Sequence, residues 1–143
     1  MAATADIVQV LGGSKALGGR VRNVEALRKR IREGLPYASY EHVALLLAVS
    51  LDELGEVLDL PKSTRIRRKE KLLKPTESDR LVRVARVVAQ AWQVLGSLPR
   101  ARAWMNRNNR ALGGEMPLHV LDTEIGEKLV EDLLGRVEHG VIG

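Results

Sequence analysis

Cysteine is absent from the whole 143-residue chain. That excludes disulfides, a thiol nucleophile and any cysteine-ligated zinc or iron–sulfur site, and the cytoplasm is the simplest expected compartment. Phenylalanine is also missing, and two Trp and two Tyr make up all the aromatic side chains. The core must then be built from Leu, Val, Ile and Ala. Such residues pack readily between helices, whereas sheets draw more heavily on aromatic and β-branched side chains. An all-α fold is expected. Long apolar runs are lacking too: the longest, Val43 to Val49, falls far short of the ~20 residues that cross a bilayer. Met1 to Asp6 has no basic stretch leading into an apolar one, so neither a signal peptide nor a membrane partner is expected.

Signatures of catalysis are just as scarce. The three histidines, His42, His119 and His139, form no short metal-ligand motif with one another or with a carboxylate. The Gly-Gly pairs at 12–13, 18–19 and 113–114 lack the Lys-Ser/Thr of a phosphate-binding loop. Asp122, Glu124 and Glu127 stand where the positive end of a helix attracts acids anyway. No catalytic residue, no metal and no cofactor is expected.

Basic charge, in contrast, is concentrated. Residues 1–76 hold fourteen Lys/Arg against nine Asp/Glu, whereas residues 77–143 hold nine of each. Lys62 to Lys74 alone carries seven bases and one acid, which exceeds the net +5 of the entire chain. Such focusing favours a polyanionic partner; a solvated basic linker is the competing reading.

The patterning predicts a series of helices. Asp6 to Leu11 ends at Gly12-Gly13, and Asn23 caps a segment in which Val24, Leu27 and Ile31 share a face before Gly34. Ser39 is expected to cap a central helix from Tyr40 to Ala48. Ser50-Leu51-Asp52-Glu53 is a capping box, followed by Leu51, Leu54 and Leu58 on one side. Gly55 in that helix costs roughly 1 kcal/mol relative to alanine, so another helix should pass too close there for a side chain. After Asp59-Leu60-Pro61, Ser63 or Thr64 should cap a basic helix anchored inward by Ile66 and Leu73. Thr76, with Asp79, should open the longest helix, in which Leu81, Val84, Ala85, Val88, Ala91, Trp92 and Leu95 repeat at 3-4 spacing. Ser97 opens another, with Ala101, Trp104 and Met105 inward, and Asn106 to Gly114 should be an irregular polar turn. Asp122 or Thr123 starts the last, with Ile125, Leu129, Leu133 and Val137 along one side. Charge and pattern both change at Lys74-Pro75, so three parts are expected: an N-terminal helical extension over 1–34, a helix-turn-helix domain over 35–75, and a third domain over 76–143.

Leu51 to about Lys71 has the proportions of a helix-turn-helix: a short helix, a tight turn, then a basic second helix for the major groove. Lys62, Ser63, Thr64, Arg65, Arg67, Arg68 and Lys69 are the candidate DNA contacts. Ser63, Thr64 and Arg65 are best placed for base edges, while Arg67, Arg68 and Lys69 suit phosphate or guanine equally. A helical pair that packs only its own core, with solvated arginines outside, has the same spacing.

The segments Thr76-Glu77-Ser78-Asp79-Arg80-Leu81, Ala91-Trp92-Gln93-Val94-Leu95-Gly96, Ala103-Trp104-Met105-Asn106 and Asn109-Arg110-Ala111-Leu112-Gly113-Gly114 follow one another at set spacing. Pro117-Leu118, Leu121-Asp122-Thr123-Glu124-Ile125-Gly126 and Arg136-Val137-Glu138-His139-Gly140-Val141 complete the series. Together they resemble the Xre/MbcA/ParS toxin-binding domain, and Leu51 to Leu73 resembles the Xre-type helix-turn-helix usually joined to it. The resemblance covers about residues 35–143. It implies an antitoxin of a two-component system that binds a RES-domain toxin, a class that attacks or uses NAD, covers its active-site entrance and represses its own operon. The antitoxin itself performs no chemistry. Asn109, Arg110, Leu112, Arg136, Glu138, His139 and Val141 are the candidate toxin contacts. For Asn106–Gly114 a self-contained Asn/Gly turn is an equal reading, and for the chain end an exposed tail is the alternative. Asp59 departs from the family pattern, which often has glycine at that turn position; Asp tolerates the left-handed conformation at modest cost. Homodimerisation on paired half-sites is expected, with residues 81–95 either its interface or an intramolecular core. The other functional class that fits is a stand-alone helix-turn-helix repressor.

Overall fold

Capping side chains, prolines and glycines divide the chain into helices. The computed structural model describes residues 2–140. Among them it contains α1 (Thr4–Val10), α2 (Gly13–Leu17), α3 (Val24–Glu33), α4 (Tyr37–Leu47), α5 (Leu51–Leu58), α6 (Lys62–Arg68) and α7 (Pro75–Leu95). There follow α8 (Leu98–Met105), a 3-10 turn at Arg110–Leu112, α9 (Pro117–Val120) and α10 (Glu124–Glu138). The fold is all-helical, and none of these helices is long and apolar enough to cross a membrane. Asn23, Ser50, Ser97 and Thr123 each accept the backbone N–H three residues on, stabilising their helix starts by about 1 kcal/mol apiece.

Three other expected caps are displaced, each by a proline. α4 starts behind Pro36, so Ser39 lies inside the helix, fully buried, with its Oγ unpartnered. α6 starts behind Pro61 rather than at Ser63 or Thr64. α7 begins at Pro75, and Glu77 Oε1 accepts the Lys74 N–H at 2.7 Å, so neither Thr76 nor Asp79 caps it. A ring-fixed φ and a missing N–H suit a helix start better than a hydroxyl one turn inside.

α7 is the central element and packs against α1, α3, α5, α8 and α10. Leu81, Val84, Ala85, Val88 and Ala91 are fully buried within the chain's own core. The apolar face of residues 81–91 is therefore covered by the chain's own core, with Trp92 and Leu95 packed partly against it. One continuous cluster runs from Ile7 in α1 to Leu134 in α10. The charge change at Lys74-Pro75 is no gap in packing: Leu73 N–H donates to Leu35 O, and Leu35 N–H to Ser78 Oγ, both at 2.8 Å.

Helix α10 corrects its expected stripe. Leu133 is buried, but Ile125 is 77% and Leu129 53% exposed, and the inward side is Gly126, Glu127, Val130, Leu133 and Leu134. The cause is Gly126, where an added Cβ would overlap the Val120 carbonyl. The glycine must face α9, and that rotation turns Ile125 and Leu129 outward. Val24 likewise stands exposed while Leu27 is buried.

Candidate nucleic-acid and partner interfaces

The turn between α5 and α6 is built by Asp59 and Gly55. Asp59 takes the left-handed conformation, φ 54° and ψ 50°, closing α5 as its short polar side chain permits. A Cβ on Gly55 would lie 2.6 Å from Leu60 O, 2.7 Å from Arg65 Nη1 and 3.1 Å from the Tyr40 hydroxyl. The space is thus taken not by a crossing helix backbone, as expected, but by the turn's own Leu60 carbonyl and the polar side-chain ends of Arg65 and Tyr40. Tyr40 OH donates to Leu51 O. Burial pushes the Tyr40 hydroxyl well above its ordinary pKa, against the pull of Arg65, so it stays a protonated donor.

Arg65 is not available to base edges. It is buried, paired with Asp52, with Nη1 donating to Leu60 O at 3.4 Å. Arg68 is also committed: its Nε donates to Glu77 Oε1 at 3.1 Å, and both side chains are largely buried. Arg80 Nη1 donates to Leu58 O at 3.2 Å, securing the end of α5 to α7. Arg65 and Arg68, two of the three arginines expected among the DNA contacts, therefore fix the orientation of α6 instead. Ile66, expected as its inward anchor, is 66% exposed, while Leu73 lies buried beyond the helix end. Lys62, Ser63, Arg67 and Lys69 are exposed, and Thr64 is half-buried, accepting from Arg67 Nη2 at 3.3 Å.

Because Asp52 is 71% exposed and Arg65 only 8%, removing the acid strands a buried guanidinium. Asp52→Ala is expected to cost about 2 kcal/mol and lower the melting temperature by about 6 °C. An unchanged melting curve would show that the pair does not orient α6.

The second set of candidates lies on the 3-10 turn and α10. Asn109 organises the turn: its Oδ1 accepts from Ala111 N at 3.0 Å and its carbonyl from Leu112 N and Gly114 N. Leu112 packs on the core, Arg110 is exposed, and the turn contacts α10. Arg136 and Glu138 are exposed on α10 and His139 just after it. Val141 lies outside the described residues. Behind this surface, Glu127 is buried between α10 and α7, paired with Arg86 and, at 3.5 Å, with Arg83. Pattern alone missed these partners, as it missed Asp52 and Glu77, because each pair joins residues of different helices.

Beside Glu127, the Glu131 carboxyl is pushed above its ordinary range, first by burial and then by the Glu127 charge. A carboxyl raised on folding gives stability that is full below its unfolded pKa of about 4.5 and is lost as pH rises through the folded-state value. Glu131→Gln should thus match the parent protein in acid and melt higher than it at neutral pH. A melting difference independent of pH would contradict this assignment.

Two family models match the chain. That described as the antitoxin Xre-like helix-turn-helix domain covers residues 26–86, and that described as the antitoxin Xre/MbcA/ParS C-terminal toxin-binding domain covers residues 90–140. Their boundary falls within α7, whereas charge and pattern together place one at Lys74-Pro75. Among characterised proteins, Antitoxin Xre of Yersinia enterocolitica is 31% identical over 114 residues, 78% of this chain and 77% of its own. Antitoxin Xre of Photorhabdus laumondii is 42% identical over 67 residues, 46% of this chain and 45% of its own. Antitoxin Xre of Pseudomonas putida is 34% identical over 64 residues, 45% of this chain and 40% of its own.

Proposed function

The chain belongs to the Xre/MbcA/ParS antitoxins, a family of inhibitors rather than enzymes, and from that membership we propose that it neutralises a RES-domain toxin and represses its own operon. Its helix-turn-helix and toxin-binding domains imply DNA and a cognate toxin as partners. In this reading the toxin's NAD site is covered by the turn at Asn109, Arg110 and Leu112 and by the chain end with Arg136, Glu138, His139 and Val141. The cytoplasm is the compartment where both partners are met, and two copies bind paired operator half-sites. The supporting observation is that two exposed surfaces differ in chemistry. α6 and the residue after it offer Lys62, Ser63, Arg67 and Lys69, a cationic face, whereas Arg136, Glu138 and His139 on and after α10 mix both signs.

Co-expression with the product of the neighbouring reading frame tests this. The full chain should co-purify with that product and restore growth. Removal of residues 136–143 should abolish rescue while DNA binding is kept, because among the described residues the ion pairs of α6 run to α5 and α7 and none to α10. A truncated chain that still protects cells would remove the C-terminal end from the interface. A full chain that binds its upstream DNA but neither associates with the neighbour nor relieves toxicity would be a stand-alone repressor.

A further inference from the structure

The exposed face of α6 carries one side chain that its charge does not account for. A lone surface isoleucine is ordinary, but the placement of Ile66 inverts what burial prefers. Ile66 is 66% exposed while its neighbour Arg65 is 7% exposed. An amphipathic helix left to apolar burial alone would turn Ile66 inward and Arg65 to water. Here the Arg65–Asp52 and Arg68–Glu77 pairs hold the helix in the opposite rotation. The apolar group so displayed has Lys62 four residues before it, Ser63 three before it and Arg67 directly after, all exposed. On a helix these positions form one patch, with the isoleucine amid the groups suited to a polyanion.

Bases expose one apolar feature in the major groove, the C5-methyl of thymine. We propose that Ile66 is a specificity-determining residue that packs on a thymine methyl, with Lys62 and Arg67 holding the duplex on either side. This rests on the DNA-binding reading of α6 and adds a base preference to it. Lysine and arginine on phosphates position the helix without carrying sequence information, whereas a methyl contact discriminates thymine from cytosine and from uracil.

Deoxyuridine, which pairs like thymine but lacks the methyl, separates the two. The full-length chain is first used to select duplexes of about two helical turns from a random library. The tightest duplex is then resynthesised with each thymine replaced in turn by deoxyuridine. At one position in each half-site the replacement should weaken binding about fourfold, the effect of burying one methyl, and elsewhere it should change little. Ile66→Ala, at an exposed site, should bind the thymine duplex about fourfold more weakly and no longer distinguish it from the deoxyuridine one. Equal binding of all deoxyuridine duplexes by the parent chain would overturn the proposal. So would an Ile66→Ala chain that keeps the full deoxyuridine penalty at the same position. Failure to select any duplex would overturn the DNA-binding reading itself, and the role of Ile66 with it.

Discussion

Replacing Lys62, Arg67 and Lys69 together by alanine is expected to weaken duplex DNA binding about a hundredfold at physiological salt, with the melting temperature unchanged. The three side chains are exposed on and just beyond α6, and no ion pair joins them to any described residue. Each lost phosphate contact lowers the slope of log affinity against log salt by about 0.9, so the slope should fall by nearly three if all three meet phosphate. A smaller fall in slope, with relaxed preference at particular base pairs, would assign part of the set to guanine edges. Asp52→Ala gives the opposite signature, because the Arg65 it releases points into the protein: stability falls and the salt slope stays. Binding that survives the triple substitution undiminished would remove α6 from the DNA interface.

The positions that could be read from the chain and those that could not differ in a physical way. The Ser50 cap, the left-handed Asp59, the crowding at Gly55 and the long α7 are local or periodic features, and local chemistry fixes them. The rotation of a helix about its own axis is not local when ion pairs compete with apolar burial. Arg65 and Ile66 exchange their expected places because Asp52, thirteen residues away, supplies a partner for the guanidinium. Glu77 does the same for Arg68. On α10 the deciding group is a backbone carbonyl, Val120 O, which only a glycine can approach. That contact sends Ile125 and Leu129 outward even though their spacing with Leu133 and Val137 suits a buried stripe. The short α9 also escaped notice, since four residues are too few to show a period. Seven basic or polar positions in α6 and the residue after it thus reduce to four exposed ones, Lys62, Ser63, Arg67 and Lys69, with Thr64 partly covered.

Glu127→Leu is expected to destabilise the toxin-binding half strongly, costing about 3 kcal/mol and lowering the melting temperature by about 10 °C. The glutamate side chain is 6% exposed and serves both Arg83, 15% exposed, and Arg86, 40% exposed. A leucine fills the volume but leaves Arg83 charged and largely out of water with no acid against it. Arg86 reaches solvent, which keeps the loss below that of a fully enclosed pair. The same substitution removes the negative charge that, after burial, does most to raise the Glu131 carboxyl. In a Glu127→Leu background, therefore, the neutral-pH gain from Glu131→Gln should shrink, and with it the difference between acid and neutral melting temperatures. Since α7 carries Arg83 and Arg86 while also packing on α5, the damage should not stop at α10: DNA binding should weaken at temperatures where the variant begins to melt. A variant that loses toxin neutralisation but melts like the parent would place Glu127 in the toxin contact instead of the α7–α10 joint.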